Sequence, residues 1–276
     1  MLLYTNGFSP FARKVALALD YKGLGYEAVD GLAHANLGAL RRVNPRGEVP
    51  TLVDGEVVVA NSSHILAYLE ERYPARAILP AAPAARAAVR GLERLYDTQV
   101  DAVVVTASLW TWAERDDAPP AGMMEQAQSD IDAALEVTEA FLARHGGAWA
   151  CGDAPGTADF VMWPHLAALR PLGFRLDETR FPQVAAWLKH AAAEPLFAVD
   201  ARRTAAFLKD GFGADHEKRR IAWRGDRLEW VLARGHHLWL VGEMQMCFHA
   251  TLRAGRCFGI RSQDIDPRGL YYPTDL

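Results

Sequence analysis

Short polar side chains stand at two places in the sequence where a helix is predicted to begin, and both places could bind an anion. Ser9 separates an apolar run from Leu2 to Thr5, a predicted strand, from a helical pattern over Phe11 to Lys22. Residues Asn61 to Ser63 precede a second helical pattern. The free N–H groups and the positive dipole end of a helix N-terminus attract negative charge. Simple capping of the helix is the alternative at both places, and spacing alone favours capping for Ser9.

The elements that would position these side chains form an α/β domain over residues 1–76. The predicted order is β-α-β, then a loop or a helix, then β-β-α, and a helix in the open position gives β-α-β-α-β-β-α. The last two strands are split by Asp54 and Gly55, which is a strong hairpin signal. Behind Ser63, apolar residues Ile65, Leu66 and Leu69 share one helical face.

The rest of the chain is predicted to form a linker, a helical domain and an extension. Residues 77–85 are rich in proline and alanine and are typical of a linker. Over residues 86–210 the strand signals vanish, which predicts an all-α domain. In the extension, residues 211–276, apolar and polar residues alternate from Met244 to Arg253, and glycines punctuate neighbouring runs at hairpin-like intervals. The extension is therefore predicted to be a small antiparallel β meander.

Composition narrows the class of partner. The chain has 276 residues, half of them apolar, and 34 acidic against 30 basic side chains. Because no broad cationic surface is available to neutralise phosphates or anionic lipids, we expect neither nucleic acid nor a membrane as a partner. The N-terminal residues lack the pattern of a signal peptide, and the three cysteines are odd in number without a C-x-x-C spacing. We therefore expect reduced thiols and a cytoplasmic protein.

Four motifs, in this order and spacing, resemble those of the cytosolic glutathione transferase family. They are SPFARKV (Ser9–Val15), NPRGEVPTL (Asn44–Leu52), ANSSHILAYLEERYP (Ala60–Pro74) and GDAPGTADFVMWP (Gly152–Pro164). The N-terminal half resembles a thioredoxin-like domain, and the chain up to about Leu208 resembles a serine-type, bacterial-like member of the family. The extension has no counterpart in that resemblance.

The resemblance implies a site for glutathione as co-substrate. Ser9 would be the catalytic hydroxyl, which donates a hydrogen bond to the glutathione thiolate and favours its ionised form. Val49–Pro50 would be a cis peptide whose Val49 backbone pairs with the extended tripeptide. Ser62, with Ser63, would hold the γ-glutamyl carboxylate at a helix N-terminus. The expected glutathione-binding residues are Phe11, Arg41, Glu48, Val49, Pro50, Asn61, Ser62 and Ser63.

Two residues depart from the family pattern and put affinity for glutathione in question. Asn61 stands where many members have an acid or Gln that accepts from the ligand's ammonium, and Glu48 could repel the glycyl carboxylate. Nearby cations could compensate, although each is more typical of a solvated surface. These cations are His34, Arg41, Arg42 and Arg46.

A second-substrate pocket and a capping residue complete the implied set. The candidate pocket residues are Phe8, Tyr96, Val104, Ser108 and Trp112, although a stripe at helical spacing is more often core than pocket. Asp159 resembles the family's buried helix-capping aspartate, which concerns folding and not chemistry.

Three functions remain open from the sequence. The first is conjugation of glutathione to a small, apolar electrophile by a homodimer, with isomerisation or bond cleavage by the same thiolate equally compatible. The second is a non-catalytic docking module of the same fold. The third is metal binding by histidines and cysteines of the extension, but no ligand spacing matches a known pattern and we expect no metal.

Overall fold

A computed structural model describes residues 1–112, 117–210, 216 and 225–242. The first part is a four-stranded mixed sheet. Its strands are β1 (Leu2–Thr5), β2 (Glu27–Asp30), β3 (Thr51–Asp54) and β4 (Val57–Ala60). β1 pairs parallel with β2 and antiparallel with β3, and β3 pairs antiparallel with β4. Gly55 turns the β3–β4 hairpin at a φ of 62°, a conformation that glycine adopts without strain.

Three helices accompany the sheet, which confirms the predicted thioredoxin-like order. They are α1 (Pro10–Lys22), α2 (His34–Val43) and α3 (Ser62–Arg72). Pro10 and the apolar run behind it explain why α1 begins there, since a proline in the first turn has no N–H left to satisfy. Leu3, Val15 and Ile65 meet in the core between sheet and helices.

The second part is helical, as predicted. Its helices are α4 (Pro83–Leu95), α5 (Asp101–Ala107), α6 (Leu109–Trp112), α7 (Met123–His145), α8 (Thr157–Leu166), α9 (Pro182–Ala193), α10 (Pro195–Asp210) and α11 (Gly225–Ala233). A π-helical turn, Tyr96–Val100, joins α4 to α5. α4 begins within the segment predicted as a linker. No helix of the described ranges is long and apolar enough to cross a bilayer.

In the extension, the prediction of a β meander is wrong for residues 225–242. α11 and residues 237–242 are helical. The buried side chains Arg227, Trp230 and Val231 are spaced by three and four residues, so they share a helix face and would not share a strand face. The predicted strand from Met244 to Arg253 lies outside the described residues.

Two buried cations of α1 join the sheet domain to the helical domain. Arg13 makes an ion pair with Asp200 of α10 at 2.6 Å and donates to the carbonyl of Pro164 in α8. Lys14 contacts Glu93 at 3.0 Å and Asp97 at 2.6 Å. Buried charges are tolerated only when they are paired, so these contacts fix the angle between the domains.

Candidate functional site

Ser9 lies at the N-terminus of α1 with its side chain half-buried. It adopts an extended backbone conformation, and its Oγ accepts a hydrogen bond from the N–H of Ala12 at 3.4 Å. That distance is at the long end for a hydrogen bond. Within the described residues, the Ser9 hydroxyl proton is donated to no protein acceptor. The hydroxyl is therefore both a helix cap and a donor available to a ligand.

The loop that leads into Ser9 is held by Asn6. The backbone carbonyl of Asn6 accepts from the Ser9 N–H at 3.1 Å, and its side-chain Oδ1 accepts from the Phe8 N–H at 3.1 Å. Asn6 is itself buried and donates to Asp30 of β2. Asn6 and Asp30 were missed from the sequence, because the signal at Asn6–Gly7 reads only as a turn.

The Val49–Pro50 peptide is cis, which confirms the geometry that the resemblance implies. Pro50 is buried and Val49 is half-buried. The preceding carbonyl, that of Glu48, accepts from Asn44 Nδ2 at 3.2 Å and from Thr51 Oγ1 at 2.8 Å. These side-chain donors fix the approach to the cis peptide.

Glu48 is paired with Arg46 at the surface. The two side chains form a bidentate ion pair with N–O distances of 2.9 and 2.8 Å. Because the positive charge of Arg46 lies against the carboxylate, the repulsion expected between Glu48 and an anionic ligand is reduced. His34, Arg41 and Arg42 are exposed on α2.

The N-terminus of α3 carries three polar side chains with different tasks. Asn61, at a φ of 75°, caps the helix by accepting from the Ser63 N–H at 3.0 Å. Ser63 Oγ donates to Asp97 at 3.1 Å, whereas the Ser62 side chain is buried at the first position of the helix. Asn61 therefore acts as a cap in this structure, and the Ser63 hydroxyl is bound within the protein.

Asp97 and Lys14 support this helix end and were not found from the sequence. Lys14 lies between Glu93 and Asp97, one turn apart on the same stretch of helix, and also lies 5.9 Å from the Phe11 ring. Two acids spaced by four residues repel one another on a helix unless a cation lies between them. That spacing is the signal by which the sequence could have indicated a buried cation partner.

Most of the candidate pocket residues lie in the core. Tyr96, Val104 and Ser108 are buried, and the Tyr96 hydroxyl is bonded to Thr138 at 3.0 Å. Burial raises the pKa of Tyr96, which keeps the phenol neutral. Phe8 is half-buried next to Ser9, and the side chain of Trp112 lies outside the described part of the chain. The structure thus leaves Phe8 as a pocket candidate and removes Tyr96, Val104 and Ser108 from any open surface.

His236 and His237 of the extension lie in different surroundings. His236 is bonded to Gln126 at 3.0 Å, and His237 is exposed. Across the described ranges, no three His, Cys, Asp or Glu side chains gather in a way that could hold a metal ion.

Comparison with known proteins gives two family matches. Residues 3–77 match the family described as glutathione S-transferase, N-terminal domain, and residues 107–190 match glutathione S-transferase, C-terminal domain. The maleylacetoacetate isomerase of Pseudomonas aeruginosa is 32% identical over 207 residues, 71% of this chain and 93% of that protein. A zeta class glutathione S-transferase of Euphorbia esula is 33% identical over 189 residues, 65% of this chain and 80% of that protein.

Solved structures give the same result. A maleyl pyruvate isomerase, described as a bacterial glutathione S-transferase of the zeta class, has a TM-score of 0.61 and 27% identity over 72% of this chain and 96% of that chain. A maleylacetoacetate isomerase from Anaeromyxobacter dehalogenans with glutathione in its active site has a TM-score of 0.57 and 32% identity, over 72% of this chain and 93% of that chain. More than a quarter of the present chain lies outside each of these alignments.

Proposed function

Because the chain belongs to the glutathione S-transferase family and is a glutathione-dependent enzyme, we propose that Ser9 is its catalytic residue. The Ser9 hydroxyl would donate to the thiolate of glutathione, in the manner of a serine-type member. The observation that carries this proposal is the half-buried Ser9 at the N-terminus of α1, whose hydroxyl proton is donated to no acceptor within the described residues. Such surroundings lower a thiol pKa from about 8.5 to about 7.5 or below.

The remaining contacts of glutathione would come from three elements. The backbone of Val49, beside Pro50, would pair with the tripeptide, and the first turn of α3 at Ser62 would bind the γ-glutamyl carboxylate. Phe11, Arg41, Glu48, Asn61 and Ser63 stay in the proposed binding set, with Asn61 and Ser63 acting through the shape of the helix end. We also propose that the protein is a homodimer and that it works in the cytoplasm, where reduced glutathione and free thiols persist.

The reaction would begin with addition of the thiolate to an electrophilic carbon of a small substrate. In conjugation the new C–S bond remains, and a leaving group departs or a proton is taken up at the neighbouring carbon. Glutathione is then consumed in equal amount with the substrate.

Isomerisation is the second candidate, and the similarity to maleylacetoacetate and maleylpyruvate isomerases favours it. Addition of the thiolate to a conjugated double bond moves its electron pair onto the carbonyl oxygen as an enolate. Rotation about the resulting single bond follows, and collapse of the enolate breaks the C–S bond, restores the double bond in the trans form and returns the thiolate. Glutathione is not consumed.

The two candidate reactions differ in whether they consume the free thiol of glutathione. With an aryl halide, conjugation predicts loss of one free thiol for each substrate turned over. With maleylacetoacetate, isomerisation predicts turnover at constant free thiol. An absence of glutathione binding by calorimetry would instead support the docking module.

Substitution of Ser9 tests the catalytic role. We expect Ser9→Ala to lower kcat/KM about 100-fold, because one preorganised donor to the reacting atom is lost. The dissociation constant of glutathione should stay within about threefold, since the other contacts remain, and the pKa of the bound thiol should rise. Ser129→Ala, at an exposed position of α7, is the matched control. Unchanged turnover in Ser9→Ala would move the activating donor to another group.

A further inference from the structure

The C-terminal part of the chain covers the loop that leads into Ser9. Phe207, on α10, packs directly over Gly7. A Cβ atom at Gly7 would lie only 2.6 Å from Phe207 Cγ, so the contact requires glycine at that position. The loop of residues 6–9, which we call the serine loop, is thus packed from outside by a helix of the other domain.

His216 of the extension is anchored beside this contact. Its Nε2 lies 2.9 Å from Asp30 Oδ2, and its backbone forms an antiparallel bridge with Ala33. Its ring packs against the Phe207 ring in a T-shaped arrangement, with the centroids 5.8 Å apart. His216 therefore contacts both the turn that follows β2 and the helix that covers the serine loop.

Asp30 connects His216 to the serine loop through hydrogen bonds. The other carboxylate oxygen of Asp30 accepts from Asn6 Nδ2 at 3.1 Å and from the Leu32 N–H at 3.0 Å. Asn6 in turn accepts the Phe8 N–H with its side chain and the Ser9 N–H with its backbone carbonyl. An unbroken series of hydrogen bonds runs from the His216 ring to the backbone of Ser9.

The same turn also packs against the side chain of Val49, beside the cis peptide. A Cβ atom at Gly31 would lie 2.7 Å from Val49 Cγ1, so the turn and Val49 are in close contact. A displacement of the turn would reach Ser9 on one side and Val49 on the other.

We propose that His216 is a positioning residue that holds the serine loop, through Asp30 and Asn6, in the conformation that directs Ser9 Oγ to the glutathione sulfur. The catalytic part of this inference rests on the function proposed above. The C-terminal family match ends at residue 190, so the extension supplies a contact that the matched domains do not contain. This gives the extension a role in the reaction without a contact to substrate.

The test compares His216→Leu with His237→Leu, an exposed histidine of the same extension. We expect His216→Leu to lower kcat about 10- to 100-fold, because small misplacements of a reacting group have effects of that size. The pKa of the bound glutathione thiol should rise, and KM for glutathione should rise by a smaller factor than kcat falls, because the turn reaches Val49 only through packing on its side chain. His216→Gln, which can still donate to Asp30, should recover part of kcat. His237→Leu should match the wild type in all three measurements.

A double-mutant cycle tests whether His216 acts on the serine loop through Asp30. If His216 acts through Asp30, the double variant His216→Leu/Asp30→Asn should lose no more activity than Asp30→Asn alone. Additive losses would overturn the proposed route.

Amide hydrogen exchange separates this inference from the proposed function. In the absence of glutathione, His216→Leu should speed exchange at Phe8 and Ser9 while the amides of α8 keep the wild-type rate. If the wild type does not turn over substrate with glutathione but His216→Leu still speeds exchange at Phe8 and Ser9, the proposed function is rejected. The link between His216 and the serine loop is then retained. Wild-type exchange at Phe8 and Ser9 in His216→Leu, or unchanged kcat and thiol pKa in an active enzyme, would overturn the inference.

Discussion

Asp159 shows how much one buried carboxylate can organise. Its two oxygens accept from the Ala150 N–H at 3.0 Å, the Gly156 N–H at 2.9 Å and the indole N–H of Trp187 at 2.7 Å. Burial raises the pKa of Asp159, and these three donors oppose that rise by stabilising the charged form. The residue therefore ties the start of α8 to α9 and to the turn before it.

Removal of this carboxylate should destabilise the fold and spare the chemistry. We expect Asp159→Ala to lower the free energy of unfolding by about 3 kcal/mol, because three donors lose a charged acceptor and two of them come from buried residues. Urea denaturation measures the change, with the exposed Asp153→Ala as control. Equal midpoints for the two variants would contradict the capping role.

At the residue scale, the sequence predicts where a helix-capping side chain lies better than it predicts which distant side chains a residue packs against. The places of Ser9 and Asn61 follow from local helix-start chemistry, which depends on a few neighbouring residues, whereas Asp159 was indicated only by the family resemblance. The burial of Tyr96 and Val104 depends on helices far along the chain, so the same helical stripe could not be divided into core and pocket from its spacing.

A buried ion pair holds α11 against the helical domain. Arg227 Nη2 lies 2.8 Å from Asp101 Oδ2, with side chains only 4% and 1% exposed. His165 Nε2 lies 3.8 Å from the other Asp101 oxygen. Every residue of α5 is buried, and α11 is one of the elements that pack against it.

Loss of the Arg227 cation should therefore lower the stability of the protein more than loss of a surface cation would. We expect Arg227→Met to lower the free energy of unfolding by about 3–5 kcal/mol, because it leaves Asp101 buried without its main countercharge. Arg170→Met, which breaks an exposed pair with Glu178, should cost less than about 1 kcal/mol.

A second substitution identifies the cause. Addition of Asp101→Leu to Arg227→Met should recover part of the lost stability, since the Asp101 carboxylate is then no longer buried without Arg227. Chemical denaturation of the wild type, Arg227→Met, Asp101→Leu and the double variant gives the comparison. A double variant with the sum of the two single losses would show that the ion pair is not the cause.

At the element scale, the failure of the predicted meander in residues 225–242 has a physical origin. Glycine punctuation favoured short strands, but Arg227 pairs with Asp101, 126 residues earlier in the chain, and such a distant contact is not visible in the local pattern. In the sheet domain the predicted order is correct because the hairpin signal and the helix starts are all local.

Exposed apolar side chains at the whole-molecule scale fit the proposed homodimer. Val57 and Val58 are 45% and 41% exposed on β4, an edge strand, and Val137 is 54% exposed on α7. An uncovered edge strand with apolar side chains is a ready surface for association.

We expect light scattering to give twice the chain mass of 30.4 kDa. Val58→Glu should shift the mass toward that of one chain at low micromolar concentration, since the new charge would be buried without a partner. Val58→Thr, of similar size, should remain dimeric. A wild type with the mass of one chain would reject the dimer, and a dimeric Val58→Glu would move the interface elsewhere.

The pairing of Arg13 with Asp200 also bears on how the chain matures during synthesis. The two residues are 187 positions apart, and the indole of Trp163 donates to the same carboxylate. At about 5–20 residues per second, the ribosome needs about 10–40 seconds to deliver Asp200 after Arg13. Throughout that interval the nascent sheet domain carries a guanidinium without its native counterpart, so completion of its packing waits for the helical domain.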